Sequence, residues 1–226
     1  MSTGPGSLHL DCQALQPELG VLVLPHLEEA ARSLELAADF LSLAVIVDDL
    51  PGVTEPPAPW LHLVETRRGD RQGWSGVLFC AETHFLRLDL VGASLLPTPE
   101  IWDAVALPGE AGPEAATFRE LPARRLLHHE LLVARDLVRR NLAPAAIPRG
   151  VVESFAAAWA VTVDGRLHRL GLPGYTMAER RSTFSRHFSS AGVLLPGHWE
   201  IFQSLWDGAV TGWRDVLAVL RHLPGG

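Results

Sequence analysis

The 226-residue chain contains no lysine: all nineteen of its cationic side chains are arginine. With its many alanines, leucines, glycines and prolines, this fits a GC-rich coding bias of a bacterial-type sequence better than a functional charge pattern. Cysteine is almost as scarce. Cys12 and Cys80 are the two present, and they form no CxxC pair, which argues against a thiolate zinc site and a disulfide framework. No uninterrupted apolar run reaches transmembrane length. The first residues lack the basic segment and apolar run of a signal peptide, so a soluble, cytoplasmic protein is expected. The net charge of −7 leaves no overall basic surface for nucleic acid. P-loop, GxGxxG, GxSxG and EF-hand patterns are all missing, which lowers nucleotide, α/β-hydrolase and calcium readings. There is no internal repeat.

What is present is the composition of a folded globular protein, 47% hydrophobic and 20% charged. The length suits one domain. We read an N-terminal α+β lobe over about residues 8–140 and a helical C-terminal lobe over about 141–226, after a loose leader at 1–7. Helical spacing of Leu27, Ala31, Leu34 and Ala38 predicts a helix over 25–40, with Pro25 in its first turn. The β-branched run at 43–47 reads as a buried strand, and the proline-rich stretch 51–59 as a loop. Strands are expected at 61–66, 76–80 and 85–90, the last with one wet face. A long Pro/Gly-punctuated connection, 97–113, includes a short helix around Trp102.

The stretch that organises the chain is LPARRLLHHELLVARDLVRR, residues 121–140. It reads as a long helix, with Pro122 at its entrance and Arg139 and Arg140 in its last turn. On a wheel at about 100° per residue, Leu126, Leu127, Leu131, Val133, Ala134, Leu137 and Val138 form one apolar arc. His128 and Asp136 fall outside it, His129 at its edge, and Glu130 inside it. A carboxylate directed at a core needs a partner, a metal or a raised pKa. Beyond a break at 141–148, helices are expected over 150–161, 177–190, 199–206 and 213–222, with Asp164-Gly165 as a turn and Thr176/Glu179 as a capping box.

A helix bearing His-Glu in apolar surroundings, after an open sheet, resembles the zincin metallopeptidases of gluzincin type. The topology is similar over about residues 25–160. The fold implied is α+β and zincin-like: a small mixed sheet with an edge strand, a central site-bearing helix and a helical C-terminal half. In that family HExxH presents two histidines one turn apart to one zinc, and the glutamate moves the proton of zinc-bound water. His129-Glu130 matches the first two motif positions, whereas the second histidine position is Val133. Glu153, in VVESFAAAWA, resembles the third ligand. The resemblance thus implies zinc on His129 and Glu153, Glu130 as the base, and a peptide or protein bound along the strand at 85–90 as an added strand. Val133 supports the other implication, a degenerate fold acting as a non-catalytic binding or regulatory module.

Plainer readings of the same residues stand alongside. Glu130 suits a buried ion pair with Arg166 or Arg87, His129 a boundary histidine bonded to backbone, and His128 a solvent-exposed one. Glu153 suits a first-turn acid favoured by the helix dipole, and His198 and Glu200 a helix entrance. His187, His198 and Glu200 are also the candidates for a rescuing ligand.

Overall fold

The computed structural model describes residues 8–14, 16–48, 59–89, 115–140, 146–189 and 193–224. The expected leader and the 97–113 connection with Trp102 lie outside them. The chain is α+β, as its sequence pattern predicts. A four-stranded mixed sheet is built from β1 (His9–Ala14), β2 (Phe40–Asp48), β3 (Trp60–Arg68) and β4 (Arg71–Ala81), in the order β1-β2-β4-β3. β1 and β4 both run parallel to β2, and β3 is antiparallel to β4. The turn between β3 and β4 uses Gly69 at φ 62°, a left-handed conformation that glycine adopts without a Cβ penalty.

Between β1 and β2 runs α1 (Pro17–Ser33). The helix expected over 25–40, with Pro25 in its first turn, lies earlier in the chain. The structure instead places Pro17 in the first turn and Pro25 inside the helix. A proline there removes the N–H that the Val21 carbonyl would accept. Val21 is 72% exposed, so water can replace the lost donor. Tertiary packing holds the early turns: Leu19, Gly20, Val23 and Leu27 are buried, and a Cβ on Gly20 would lie 3.1 Å from the Cys12 carbonyl oxygen of β1.

The segment at 85–90 is a second correction. β5 (Leu86–Asp89) pairs antiparallel with β6 (Ala115–Phe118) in a separate two-stranded sheet. It is therefore not an edge of the main sheet, and β3 holds that place beside β4.

The central helix, α2 (Glu120–Arg139), is enclosed on more sides than its apolar arc suggests. His128 and Asp136, expected outside, are 0% and 2% exposed. His128 faces α1: its Nδ1–H donates to the Arg124 carbonyl at 2.8 Å, and Nε2 meets the Ser33 hydroxyl at 3.1 Å. Asp136 accepts both arms of the Arg166 guanidinium, one at 2.7 Å, and forms an ion pair with Arg140 at 3.2 Å. Arg166 is thereby committed to Asp136 and not to Glu130.

Burial pushes the His128 pKa down, opposed in part by its bond to the Arg124 carbonyl and by Glu29. An unfolded histidine takes its proton near pH 6.5. The folded one resists until a lower pH, so across that window the unfolded chain binds more protons. Stability contributed by neutral His128 is thus complete above about pH 6.5 and lost as pH falls through the folded value. Urea melts between neutral and acid pH should show a shallower acid loss for His128→Asn than for the natural chain. Equal slopes would refute the assignment.

The C-terminal half is helical: α3 (Val152–Arg169), α4 (Met177–Phe188), α5 (Pro196–Asp207) and α6 (Trp213–Leu220). The expected capping box is present: Glu179 N–H donates to Thr176 Oγ1 at 3.2 Å, and Thr176 N–H to Glu179 at 2.7 Å. The Asp164-Gly165 turn is not, since α3 continues straight through it. A single hydrophobic core joins Leu19, Leu43 and Leu78 of the N-terminal half to Val163, Phe202 and Leu220 of the C-terminal half. No helix among the described residues is long and apolar enough to cross a membrane.

Candidate functional site: the His129–Glu130 cleft

Residues His129 and Glu130 of α2 line a cleft of about 300 Å³. Tyr175, Glu179, Arg180 and Thr183 border it from the start of α4, with Leu126 of α2, Pro59 ahead of β3 and His84 after β4. α2 supplies both residues to the cleft, while His128, about 100° round the helix from His129, turns to α1.

Beneath the cleft, α3 delivers a carboxylate that the sequence reading did not select. Asp164 is fully buried. Its Oδ1 lies 3.1 Å from His129 Nδ1 and accepts the Tyr175 backbone N–H at 3.1 Å, while Oδ2 accepts Arg180 Nε. Gly174 permits this approach, since a Cβ there would sit 3.1 Å from Asp164 Oδ1. Burial by itself pushes the Asp164 pKa up, but His129 and then Arg180 outweigh it and hold the carboxyl below its ordinary value. An ionised carboxylate only accepts, so His129 carries its hydrogen on Nδ1. Arg180 Nη2, 3.3 Å from the same nitrogen, is then a neighbouring charge and not a hydrogen-bond donor to it. Nε2 has no hydrogen-bond partner among the described residues. The chain's one tyrosine completes the group: Arg180 lies 4.4 Å over the Tyr175 ring, and the His129 ring meets Tyr175 edge-on at 5.7 Å.

The other predicted acid, Glu130, is half-buried. No hydrogen bond or ion pair ties its carboxyl to a described residue. Burial pushes its pKa up; His129 and Arg180 pull it back in part, and Asp164 adds to the rise. The buried ion pair with Arg166 is accordingly not formed, and the Arg87 side chain lies outside those described.

Glu153 does not join the site. It is exposed in the first turn of α3, the place a helix dipole favours for an acid. Eleven residues, about 16 Å of helix rise, separate it from Asp164, the α3 residue that reaches His129. His187 bonds Ser154 at 3.2 Å, and His198 accepts the Leu195 backbone N–H at 3.3 Å as a helix-entrance contact. Neither lines the cleft, and Glu200 is exposed.

Zinc requires about three protein donors converging on one point. His129 Nε2 is available, but Val133, one turn on, has no donor atom. Glu153 is remote, and Asp164 is spent on His129, Tyr175 and Arg180. Among the described residues, no three His, Cys, Asp or Glu side chains are grouped as a metal site needs. The donor set does not fit the zinc centre that His129 and Glu153 were expected to form. A signal for Asp164 did exist in the sequence: in AVTVDGRL it stands three residues after Val161 and three before Leu167, in line with an apolar helix face, which turn chemistry masked. Neither a protein-family model, nor a curated protein, nor a solved structure matches this chain.

Proposed function

We propose that the chain is a zincin-like protein that binds a peptide segment in the His129–Glu130 cleft without a catalytic metal. The arrangement around His129 carries this reading. The imidazole is held by a buried carboxylate and a guanidinium, while the position one turn along is an alkyl side chain. A mixed sheet with an antiparallel edge strand, and a central helix presenting His-Glu to an open cleft, support the zincin-like part. The cleft itself, bordered by polar groups from α2 and α4 and by Pro59 at the start of the edge strand, supports peptide binding.

Two measurements test it. Protein equilibrated with zinc and then dialysed is expected to retain well under one equivalent by elemental analysis and to leave a mixed peptide pool uncut. Val133→His sets a second imidazole one turn beyond His129, and it should bind zinc more tightly than the natural chain. Stoichiometric zinc in the natural chain, lost on His129→Ala and accompanied by peptide hydrolysis, would overturn the proposal.

A further inference from the structure

The charges around the cleft are unevenly committed. Asp164 satisfies three donors. Arg180 is tied to Asp164 through Nε and lies over the Tyr175 ring. Glu179 is held by both donors of Thr176 and by Arg125 at 3.2 Å. The carboxyl of Glu130 has no such tie among the described residues. Among the described residues the cleft therefore offers one unpaired carboxyl, and the guanidinium beside it, Arg180, is paired with Asp164. The cleft lining carries two carboxylates, Glu130 and Glu179, against one guanidinium, Arg180. An anionic group entering here would meet Glu130 with no counter-charge to spare. A group with a positive charge and N–H donors would satisfy that carboxyl, and charge-assisted bonds of that kind are the stronger ones.

We propose that Glu130 is the anchor for an ammonium or guanidinium group of the bound peptide. This rests on the peptide-binding reading and names the chemistry it selects. Without the ligand, a proton answers the same need: the Glu130 carboxyl holds its hydrogen to a higher pH than an ordinary glutamate. Ligand and proton then compete. The groups that face Glu130 are His129 from α2, Asp164 from α3, Tyr175, Glu179 and Arg180 from the start of α4, and Cys80 from β4, with His84 across the cleft. Burial pushes the Cys80 thiol and the Tyr175 phenol up, so both stay neutral as Glu130 ionises.

The test uses the full chain and a randomised tetrapeptide-amide library prepared with free and with acetylated N-termini, each with and without Lys and Arg. Binding is read by competition calorimetry at acid and at mildly alkaline pH. Cationic members are expected to bind about tenfold or more tightly than their uncharged counterparts, with the preference growing as pH rises through the Glu130 titration. The acetylated, Lys-containing pool separates a side-chain cation from a terminal amine. Glu130→Gln should erase the preference and lower no melting temperature. Equal binding of charged and uncharged pools, or a preference that survives Glu130→Gln, would overturn the anchor and leave peptide binding standing. Absence of binding by every pool would overturn both.

Discussion

Replacing Asp164 by alanine is expected to cost about 3–5 kcal/mol of stability, the range for removing one partner of a buried ion pair. The carboxylate is fully buried and holds three donors from three places: the His129 imidazole, the Tyr175 backbone and the Arg180 guanidinium. Its loss strands a largely buried arginine, whose side chain is 14% exposed, beside an imidazole with 9% exposure. Asp164→Asn keeps the shape and one strong acceptor, so it should fall between the two. Urea melts at neutral pH measure the difference. A loss for Asp164→Ala within about 1 kcal/mol of the natural chain, the scale of a surface pair, would show that the cluster does not organise the fold. The site carries its own readout: in Asp164→Ala the His129 ring loses the acceptor that selects its Nδ1–H tautomer. Nitrogen NMR of the imidazole should then show the two tautomers mixing.

Gly165→Ala is expected to be at least as damaging, about 3 kcal/mol or more, the upper end for forcing atoms into a packed contact. An added Cβ would stand 2.2 Å from the Trp206 carbonyl oxygen and 3.0 Å from its Cα. These are backbone atoms of α5, which no rotamer change can move, so α3 and α5 must part. The crossing is also pinned by Arg169, which donates to the same Trp206 carbonyl. Gly150→Ala provides the control. Nothing lies within 4 Å of its added Cβ, and a substitution of that kind shifts stability by about 0.4–1 kcal/mol, upward where the backbone tolerates it. Thermal melts of the two variants should therefore move in opposite directions or differ by many degrees. Comparable small shifts would mean that the α3–α5 approach is looser than the structure has it.

Much of the local structure was legible. The central helix, the capping box at Thr176 and Glu179, and the strands at 61–66 and 76–80 each rest on residues close together in sequence. The oddity of Glu130 was legible too, because a carboxylate among leucines stands out on any wheel. The failures share a cause. Pro25 looks like a helix start and Asp164-Gly165 like a turn, and in short peptides both readings would be sound. In the folded chain Gly20 packs on β1 and Gly165 on α5, so the helices run through those positions. Reading Glu153 as the partner of His129 followed from the likeness of VVESFAAAWA to the third-ligand helix of gluzincins. Which turn of that helix meets α2 depends on how the two helices cross, and no local pattern encodes it. His128 failed for a related reason: one wheel allows for one buried face, and α2 is packed against α1 as well as against α3.

Periodicity, capping chemistry and the unlike residue at 130 are properties of neighbours along the chain, and the sequence by itself determined them: an α+β protein with a long central helix and an acid placed against its core. Which carboxylate steadies His129, which imidazole is sealed away against Ser33, and which glutamate is left facing the cleft without a hydrogen bond to a described residue were decided only by tertiary structure. Those outcomes depend on contacts between residues some 35 to 95 positions apart. They are set by how closely two backbones approach, and a glycine permits that approach without announcing it.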